Sequence, residues 1–365
     1  MTKIVITGGP CAGKSTLLSA VKDEISSFGY KVICVKETAT ELIEAGVSPA
    51  EYGSDSFQLL RMSLQLQREK IYGMAAEMAE GEKVLLVFDR GMQDSCAYTG
   101  KERFRRLSSE LGLTEVQTRD SYDGVFHLET AAKGAPRSYT LSNNKARTES
   151  AEEAVRLDDA IACAWVGTPH YRVIEASEDF SLKKEKLLSE IKALLGIPKP
   201  LETERKYLIE YPDLQMLWSC PFCEKVLISQ TYLENSEAEE RVRKRGDGKS
   251  FLYFHTVKKK LCGAKREEYE EEISEEEYRE YLKRADRERN TIDKTRYCLI
   301  YKGQYFEIDV YPFFSDRAVA ELEMTDESRE PRFPEWMKII KEVTEDDSYK
   351  NSSLARKKEK QADGH

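Results

Sequence analysis

The stretch Ile4-Val5-Ile6-Thr7-Gly8-Gly9-Pro10-Cys11-Ala12-Gly13-Lys14-Ser15-Thr16 decides the fold of the first half of the chain. An apolar run leads through a glycine-rich turn into an amphipathic segment, and residues 8–15 match the pattern G-x-x-x-x-G-K-[ST]. The glycines let backbone N–H groups turn toward a polyphosphate, Lys14 meets the outer phosphates, and the Ser15 hydroxyl ligates magnesium. We therefore expect nucleotide to bind at Gly8, Gly9, Pro10, Cys11, Ala12, Gly13, Lys14, Ser15 and Thr16.

Around this loop, residues 1–195 alternate short β-branched apolar runs with longer amphipathic segments, which is typical of a parallel sheet covered by helices. The pattern predicts strands at Lys3–Thr7, Lys31–Val35, Lys83–Asp89, Tyr122–Leu128 and Tyr171–Glu175. It predicts helices at Lys14–Ser27, Ser56–Glu80, Ser150–Val166 and Phe180–Leu195. The polar residues 133–148 are predicted to form a mobile loop.

Five further residues of this half suggest a phosphoryl-transfer site, each with an ordinary alternative. Asp89 ends an apolar strand, where it would hold the magnesium hydration shell or cap a helix. The adjacent Arg90 would clamp a substrate phosphate or pair with Asp89. Glu37 closes the second strand, as a base or hydroxyl-binding group or as part of a solvated loop. Arg137 and Arg147 would close over the nucleotide as a lid, or belong to a solvated basic loop.

Composition sets the broad class of the protein. The 365 residues are 40% hydrophobic and 34% charged, which indicates a globular chain with room for two domains. The net charge of −9 disfavours nucleic acid as a partner. No apolar stretch is long enough to span a membrane and no signal peptide is recognisable, so we expect a cytoplasmic protein with reduced cysteines. The pair Cys220 and Cys223 would share a metal or redox role, or would simply lie in a turn.

Residues 196–200 interrupt the last predicted helix with Gly and Pro, and we place a linker there between a first domain, 1–195, and a second, 201–354. A polar tail, 355–365, follows.

In the second domain like charges recur two residues apart, so they share one face of a strand. They alternate with apolar residues, which predicts a closed, mostly antiparallel barrel with a charged interior. Like charges ~7 Å apart repel by roughly 2 kcal/mol at an effective dielectric near 20, so we expect a polyanion beside the bases and a divalent metal beside the acids.

The first half resembles the kinase-like P-loop ATPase domain of the NadR and TRPL translocation defect protein families. The resemblance rests on the glycine loop, Glu37, Phe57-Gln58 with Gln67, Asp89-Arg90-Gly91, and Arg147-Thr148-Glu149 before Leu157-Asp158. It implies a parallel α/β fold that binds ATP or GTP. The Glu37 segment lacks the proline usual in deoxynucleoside kinases, which disfavours a nucleoside as phosphate acceptor.

The second half resembles the CYTH, or triphosphate tunnel, family, because Glu202-Thr203-Glu204-Arg205-Lys206 fits its E-x-E-x-K signature and further matches follow in family order over 201–354. The resemblance implies phosphate binding by Lys206, Arg241, Arg243, Lys258, Lys294 and Arg296. It implies Mg²⁺ or Mn²⁺ binding by Glu202, Glu204, Asp309, Glu321 and Glu323. Glu268 and Glu270 would line the tunnel, whereas Arg245 is followed by a glycine at which the strand would turn.

These features predict an enzyme, a magnesium-dependent phosphohydrolase that acts on inorganic polyphosphate or nucleoside triphosphate. Its catalytic residues would be Lys14, Glu37, Asp89, Glu202, Glu204 and Lys206, and Arg147 would help to bind the nucleotide. The first domain would be a second NTPase or a kinase. The alternative is a GTP-regulated trafficking module that binds a phosphoinositide headgroup without turnover and makes at most peripheral membrane contact.

Overall fold

A computed structural model describes residues 1–135, 150–197, 203–236, 238–260, 266–324 and 330–357. The described residues form two sheets, one five-stranded and parallel, the other nine-stranded and antiparallel. The first uses residues up to 174, and the second begins at 203. No described helix has the length and apolarity needed to cross a membrane.

The first sheet has the strand order β2-β3-β1-β4-β5. Its strands are β1 (Thr2–Gly8), β2 (Tyr30–Val35), β3 (Lys83–Asp89), β4 (Gly124–Leu128) and β5 (Tyr171–Ile174). Each pairs in parallel with its neighbour, so their carboxyl ends lie at one edge, where open α/β sheets bind ligands. The centre is fully buried on both faces, which explains the continuous apolar runs of β1 and β3.

Ten helices lie among the described residues of this first domain. The four that the sequence predicts are α1 (Lys14–Ser26), α4 (Ser54–Glu77), α9 (Ala151–Trp165) and α10 (Phe180–Leu194), each within three residues of its predicted bounds. The short ones are α2 (Thr38–Glu44), α3 (Pro49–Tyr52), α5 (Asp94–Thr99), α6 (Lys101–Glu110), α7 (Glu115–Asp120) and α8 (Ala131–Gly134). The last lies at the start of the predicted loop 133–148, most of which is outside the described residues.

The second sheet has the order β10-β9-β8-β7-β11-β12-β13-β6-β14. Its strands are β6 (Thr203–Glu210), β7 (Cys223–Tyr232), β8 (Glu239–Gly246), β9 (Phe251–Lys260), β10 (Arg266–Ile273), β11 (Ile292–Tyr301), β12 (Gln304–Val310), β13 (Arg317–Met324) and β14 (Ile339–Glu342). Three short helices accompany them: α11 (Leu214–Ser219), α12 (Glu275–Leu282) and α13 (Asn351–Leu354). All neighbouring strands are antiparallel, and among the described strands the ladder ends at β10 and β14.

The first domain covers one end of the second sheet. One apolar cluster contains Trp165 and Tyr171 from the α/β domain together with Val226, Ile228 and Tyr305 from the sheet. Polar contacts accompany it, and each joins the two domains: Lys101 to Glu224, Arg245 to Asp120, Tyr305 to Gly167 and Thr168, Arg172 to Glu323, and Arg332 to Glu175. In the antiparallel sheet the first residues of one strand lie beside the last residues of the next. The strand residues in these contacts therefore all lie at the same end of the second sheet. The two domains therefore share a buried core.

Candidate functional site

The glycine-rich loop adopts a backbone that only glycine permits at its first position. Gly8 ends β1 with φ of 143°, and a Cβ there would lie 2.1 Å from the Leu128 carbonyl oxygen of β4. Gly13 has φ of 85° immediately before α1, and a Cβ there would lie 2.6 Å from the Phe180 ring. The loop therefore passes close to its neighbours and leads directly into the amino-terminal end of α1, as a phosphate-binding loop requires.

Two buried charged residues hold this loop from behind. The Gly9 N–H donates to Asp158 Oδ1 at 2.7 Å, and Asp158 is fully buried on α9. Lys183 Nζ donates to the Ala12 carbonyl at 2.9 Å and to the Glu129 carbonyl at 2.6 Å. Asp158 appeared in the sequence analysis only as part of a family resemblance and Lys183 did not appear. Asp158 lies on an otherwise apolar buried face of α9, which is the signal that could have identified it, whereas Lys183 shares the buried face of α10 with Glu190.

Asp89, Lys14 and Glu37 lie close enough for their charges to shift one another's pKa values. Asp89 Oδ1 is buried and has no hydrogen-bond partner among the described residues, so it is available to a ligand. Burial raises the pKa of Asp89 to about 6. Burial and the nearby Arg90 lower the pKa of Lys14. A bound phosphate would favour the charged form of Lys14, and a magnesium ion would favour the charged form of Asp89.

Arg90 resolves one alternative left open by the sequence, because it pairs with Glu37 and Asp94 and not with Asp89. Its Nε lies 2.5 Å from Glu37 Oε1, and its Nη1 lies 3.0 Å from Asp94 Oδ1. Burial alone would raise the pKa of Glu37, but Arg90 and Lys14 outweigh it and lower this pKa to about 2. Glu37 is thus held as a carboxylate beside the loop. It can accept a hydrogen bond from a hydroxyl group, and it is too acidic to be a strong general base.

A buried network that the sequence analysis did not identify fixes the segment after β3. Asp94 accepts hydrogen bonds from Thr7 Oγ1 and, at 2.8 Å, from the Gly91 N–H. Arg61 donates from Nε to Ser95 Oγ at 2.9 Å and is 3% exposed. These contacts join α4, α5 and β1, so they orient Arg90 toward Glu37. The spacing of Arg90 and Asp94, four residues apart, was the available signal.

On the second sheet, opposite charges alternate across β6, β13, β12 and β11, and we call this surface the charged face. Lys206 Nζ lies 2.9 Å from Glu204 and 2.6 Å from Glu321. Arg296 bonds Asp309 with two nitrogens, both at 2.7 Å, and Glu321 at 2.8 Å. Lys294 also pairs with Asp309. The structure therefore brings Lys206, Lys294, Arg296, Glu204, Asp309 and Glu321 into one continuous network.

The charged face continues onto β8, β9 and β10. Arg243 donates to Glu270 at 2.9 Å, and Thr256 Oγ1 donates to the other oxygen of Glu270 at 2.7 Å. Burial and the neighbouring Arg241 and other arginines lower the pKa of Arg243, although Glu270 acts in the opposite direction. Its Nε is buried without a hydrogen-bond partner among the described residues. Arg241 and Lys258 contribute further positive charge around Glu270. Arg243 Nε is therefore able to donate a hydrogen bond to an anion.

The structure corrects the electrostatic premise that rows of like charge require a ligand. Arginines and carboxylates face one another on adjacent strands, so each row finds its counter-charges in the protein itself. Arg245, two residues beyond Arg243, is 2% exposed and bonds Asp120 and the Gly167 carbonyl of the α/β domain. Glu323 pairs with Arg172 of the same domain. Among the predicted residues, Arg137, Arg147, Glu202 and the side chain of Glu268 lie outside the described residues.

The charged face fits a divalent cation in the chemistry of its donors. Burial and then the nearby Glu321 raise the pKa of Glu204. A bound cation would favour its charged form, and hard cations prefer carboxylate oxygens. Within the described ranges no three acidic, His or Cys side chains are already gathered around one point. Lys206 stands between Glu204 and Glu321, so a cation would exchange with it. Cys220 and Cys223 are both free and partly buried.

Comparison with known proteins places both halves in families. Residues 3–183 match the model of the AAA domain, and residues 200–357 match that of the CYTH domain. The comparison with curated proteins gave no match. Among solved structures the chain is similar to the inorganic triphosphatase NE1496, with 31% identity over 42% of this chain and 93% of that one, at a TM-score of 0.31.

Two less similar structures also match the second half. One is HpAC1 from Hippeastrum, a putative adenylyl cyclase described as having a dominant triphosphatase activity, with 17% identity over 34% of this chain and 80% of that one, at a TM-score of 0.25. The other is PH1819 protein from Pyrococcus horikoshii OT3, with 18% identity over the same shares and a TM-score of 0.26. The predicted fold class, a parallel α/β domain followed by a mostly antiparallel CYTH domain, is confirmed. The second half of the chain belongs to the CYTH family, and it is fused to an AAA domain of the P-loop type.

Proposed function

We propose that the CYTH domain is a phosphohydrolase that binds tripolyphosphate or the triphosphate of a nucleotide together with Mg²⁺ or Mn²⁺. The observation that carries this is the charged face, where buried bases and acids alternate within hydrogen-bond distance. A polyphosphate and a divalent cation arriving together replace these internal pairs by equivalent ones. An uncharged ligand would leave the pairs intact and gain nothing from them.

We assign two roles to the charged residues of this domain. Lys206, Lys294, Arg296, Arg243, Arg241 and Lys258 would bind and orient the phosphate oxygens. Glu204, Glu321, Glu323 and Asp309 would hold the cation, as would Glu202. The bound cation would polarise a phosphoryl oxygen and lower the pKa of a water. The basic side chains would stabilise the charge that develops on the terminal phosphate during in-line attack.

The test is phosphate release from tripolyphosphate, ATP and GTP, with and without Mg²⁺ or Mn²⁺. Lys206→Ala and Lys14→Ala separate the two sites, and Arg205→Ala is a matched control because Arg205 pairs with Glu342 on the other face of β6. We expect Lys206→Ala to abolish metal-dependent release from tripolyphosphate, while Lys14→Ala and Arg205→Ala retain it. Headgroup binding by wild type without any phosphate release would refute the enzyme and favour the phosphoinositide-binding alternative.

For the α/β domain, we propose binding of ATP or GTP at residues 8–16, with Ser15 and Asp89 holding Mg²⁺ and Arg147 reaching the nucleotide. Glu37 and Arg90 next to this loop support a second NTPase or a kinase reaction, and in a kinase the hydroxyl acceptor would bond to Glu37. Domains 1–195 and 201–354, joined by a linker at 196–200, would act in the cytoplasm. Fluorescent-nucleotide titration with competing ATP and GTP measures the base preference. Loss of binding in Lys14→Ala is expected, and unchanged binding would refute this assignment.

A further inference from the structure

The end of the charged face that carries Glu204 and Glu323 is the end covered by the α/β domain. Glu323 pairs in register with Glu204 across β13 and β6, so the two side chains share one face. The residues 167–172, which follow α9, cross this end of the sheet. They bond Tyr305 through the Gly167 N–H at 3.1 Å and the Thr168 carbonyl at 2.9 Å. The neighbouring domain therefore reaches the acidic end of the charged face directly.

Arg172 of β5 is the residue that makes this approach. Its Nη2 donates to Glu323 Oε2, and its Nε donates to Glu190 of α10 at 3.2 Å. The nearby His170 has a side chain that is 12% exposed. Desolvation by the surrounding protein, followed by the charge of Arg172, lowers the pKa of His170 well below its usual value. Arg172 supplies the positive charge that balances Glu323 from the α/β side.

A small cavity lies between the domains at this point. It is lined by Pro169 and Arg172 of the α/β domain and by Tyr305, Glu307, Glu321 and Glu323 of the sheet. Its volume of about 10 Å³ is close to the space that one water molecule needs. Residues of both domains thus line a single space. Arg172 belongs to the wall of the CYTH site, although it is not part of the CYTH domain.

We propose that Arg172 is a positioning residue of the CYTH site, contributed by the α/β domain, which holds the Glu323 carboxylate ready to bind the divalent cation. The inference rests on the proposed function. Arg172 donates to Oε2 of Glu323, and His170 approaches the same oxygen at 3.8 Å. Among these contacts of the described residues none involves Oε1, which would bind the cation. A hydrogen bond to the outer oxygen of a ligating carboxylate fixes its orientation, and loss of such a partner lowers metal affinity about 10–100-fold.

The direction of the effect distinguishes this role from simple competition. If Arg172 only occupied Glu323 as a rival cation, its removal would free the carboxylate and strengthen metal binding. If Arg172 positions Glu323, its removal leaves a mobile carboxylate on a strand end and weakens metal binding. A purely structural role in the α/β domain would run through Glu190 and would leave the metal affinity unchanged.

The experiment is calorimetric titration of the full-length, nucleotide-free protein with Mn²⁺ alone. The event that disappears in Glu204→Gln identifies the CYTH site, which separates it from metal bound near the P-loop. We expect Arg172→Ala to weaken this event about 10–100-fold and Arg172→Lys to weaken it less, because lysine keeps the charge but not the planar fork. In the Glu323→Gln background, Arg172→Ala should have no further effect.

Glu190→Gln is the matched control, since it removes the second carboxylate that pairs with Arg172 and should leave the Mn²⁺ affinity unchanged. Thermal unfolding of each variant verifies the fold, and Arg172→Lys carries the test if Arg172→Ala does not fold. Unchanged or tighter Mn²⁺ binding in a folded Arg172 variant, or an equal loss in Glu190→Gln, overturns the inference alone. A wild-type titration without a Glu204-dependent event overturns the proposed function, and the inference falls with it.

Discussion

Replacing Asp120 by Asn should destabilise the whole protein by roughly 3–5 kcal/mol, because it removes the shared partner of two buried arginines. Asp120 accepts from Arg119 of the same helix at 2.7 and 3.0 Å and from Arg245 of the second sheet. The three residues are 4%, 3% and 2% exposed, so water cannot take the place of the lost carboxylate. Asn keeps the shape of the side chain, so the decrease in the free energy of unfolding measures the effect of removing the negative charge.

Urea unfolding followed by tryptophan fluorescence is a suitable assay. Trp165 is fully buried in the apolar cluster that the two domains share, so its emission reports their separation. Burial would raise the pKa of Asp120, but Arg119 and Arg245 outweigh it and lower this pKa. A lowered carboxyl pKa gives stability that is complete above the unfolded value of about 3.9 and is lost as pH falls through the folded value. Asp120→Asn should therefore lose part of the acid sensitivity of wild type below about pH 4.

Asp316→Asn is the control, because Asp316 and its partner Arg317 have side chains 64% and 38% exposed and their pair is open to water. We expect no measurable change in that variant. A loss of less than about 1 kcal/mol in Asp120→Asn, or the same acid sensitivity as wild type, would contradict the structure of this interface. Separate unfolding of two domains in wild type, with Trp165 insensitive to the second, would contradict the shared core.

Three other substitutions test the loop and the interface. Gly8→Ala should abolish binding of a fluorescent ATP analogue, because the new Cβ would lie 2.1 Å from the Leu128 carbonyl oxygen. Asp158→Ala should weaken the same binding and lower the free energy of unfolding by ~1–3 kcal/mol, since the Gly9 N–H loses its acceptor. Tyr305→Phe should cost ~1–3 kcal/mol in urea unfolding, because it removes a hydroxyl that bonds Gly167 and Thr168. A nucleotide titration curve unchanged in Gly8→Ala or Asp158→Ala, or an unfolding curve unchanged in Asp158→Ala or Tyr305→Phe, would contradict the prediction for that variant.

The framework of the α/β domain could be predicted because its local signals agree with its tertiary structure. β3 occupies Lys83–Asp89 as predicted, since an apolar run ends there at a charged residue. β4 begins at Gly124, two residues after the predicted start, because Tyr122 is buried by packing against Phe88 and Trp165 without joining the ladder. The helices α5 and α7 have only six residues each, too few to show a helical repeat in the sequence.

The charged face was predictable from residue parity, whereas the partners of its charges were not. Alternation places Arg241, Arg243 and Arg245 on one face of β8, as observed, but says nothing of what each residue meets. Arg243 bonds Glu270 of β10, while Arg245 bonds Asp120 of the other domain, 125 positions earlier in the chain. Contacts of this separation depend on how domains dock. For the same reason Arg172, which lies in a short apolar strand, gave no sign in the sequence that it would reach Glu323.

The internal pairing of the charged face implies that an anion and a cation strengthen each other's binding, so that Mn²⁺ alone binds there more weakly than it does beside a polyphosphate. If a polyphosphate alone took Lys206 and Arg296, it would leave Glu321, which accepts from both, buried without a counter-charge. If a divalent cation alone took Glu321, it would leave those two bases unpaired. Uncompensated buried charge costs several kcal/mol in either case, whereas the joint arrival of both ligands exchanges every pair for an equivalent one. A face neutralised in this way selects a metal polyphosphate over either component, and it does so through the very pairs that stabilise the empty sheet.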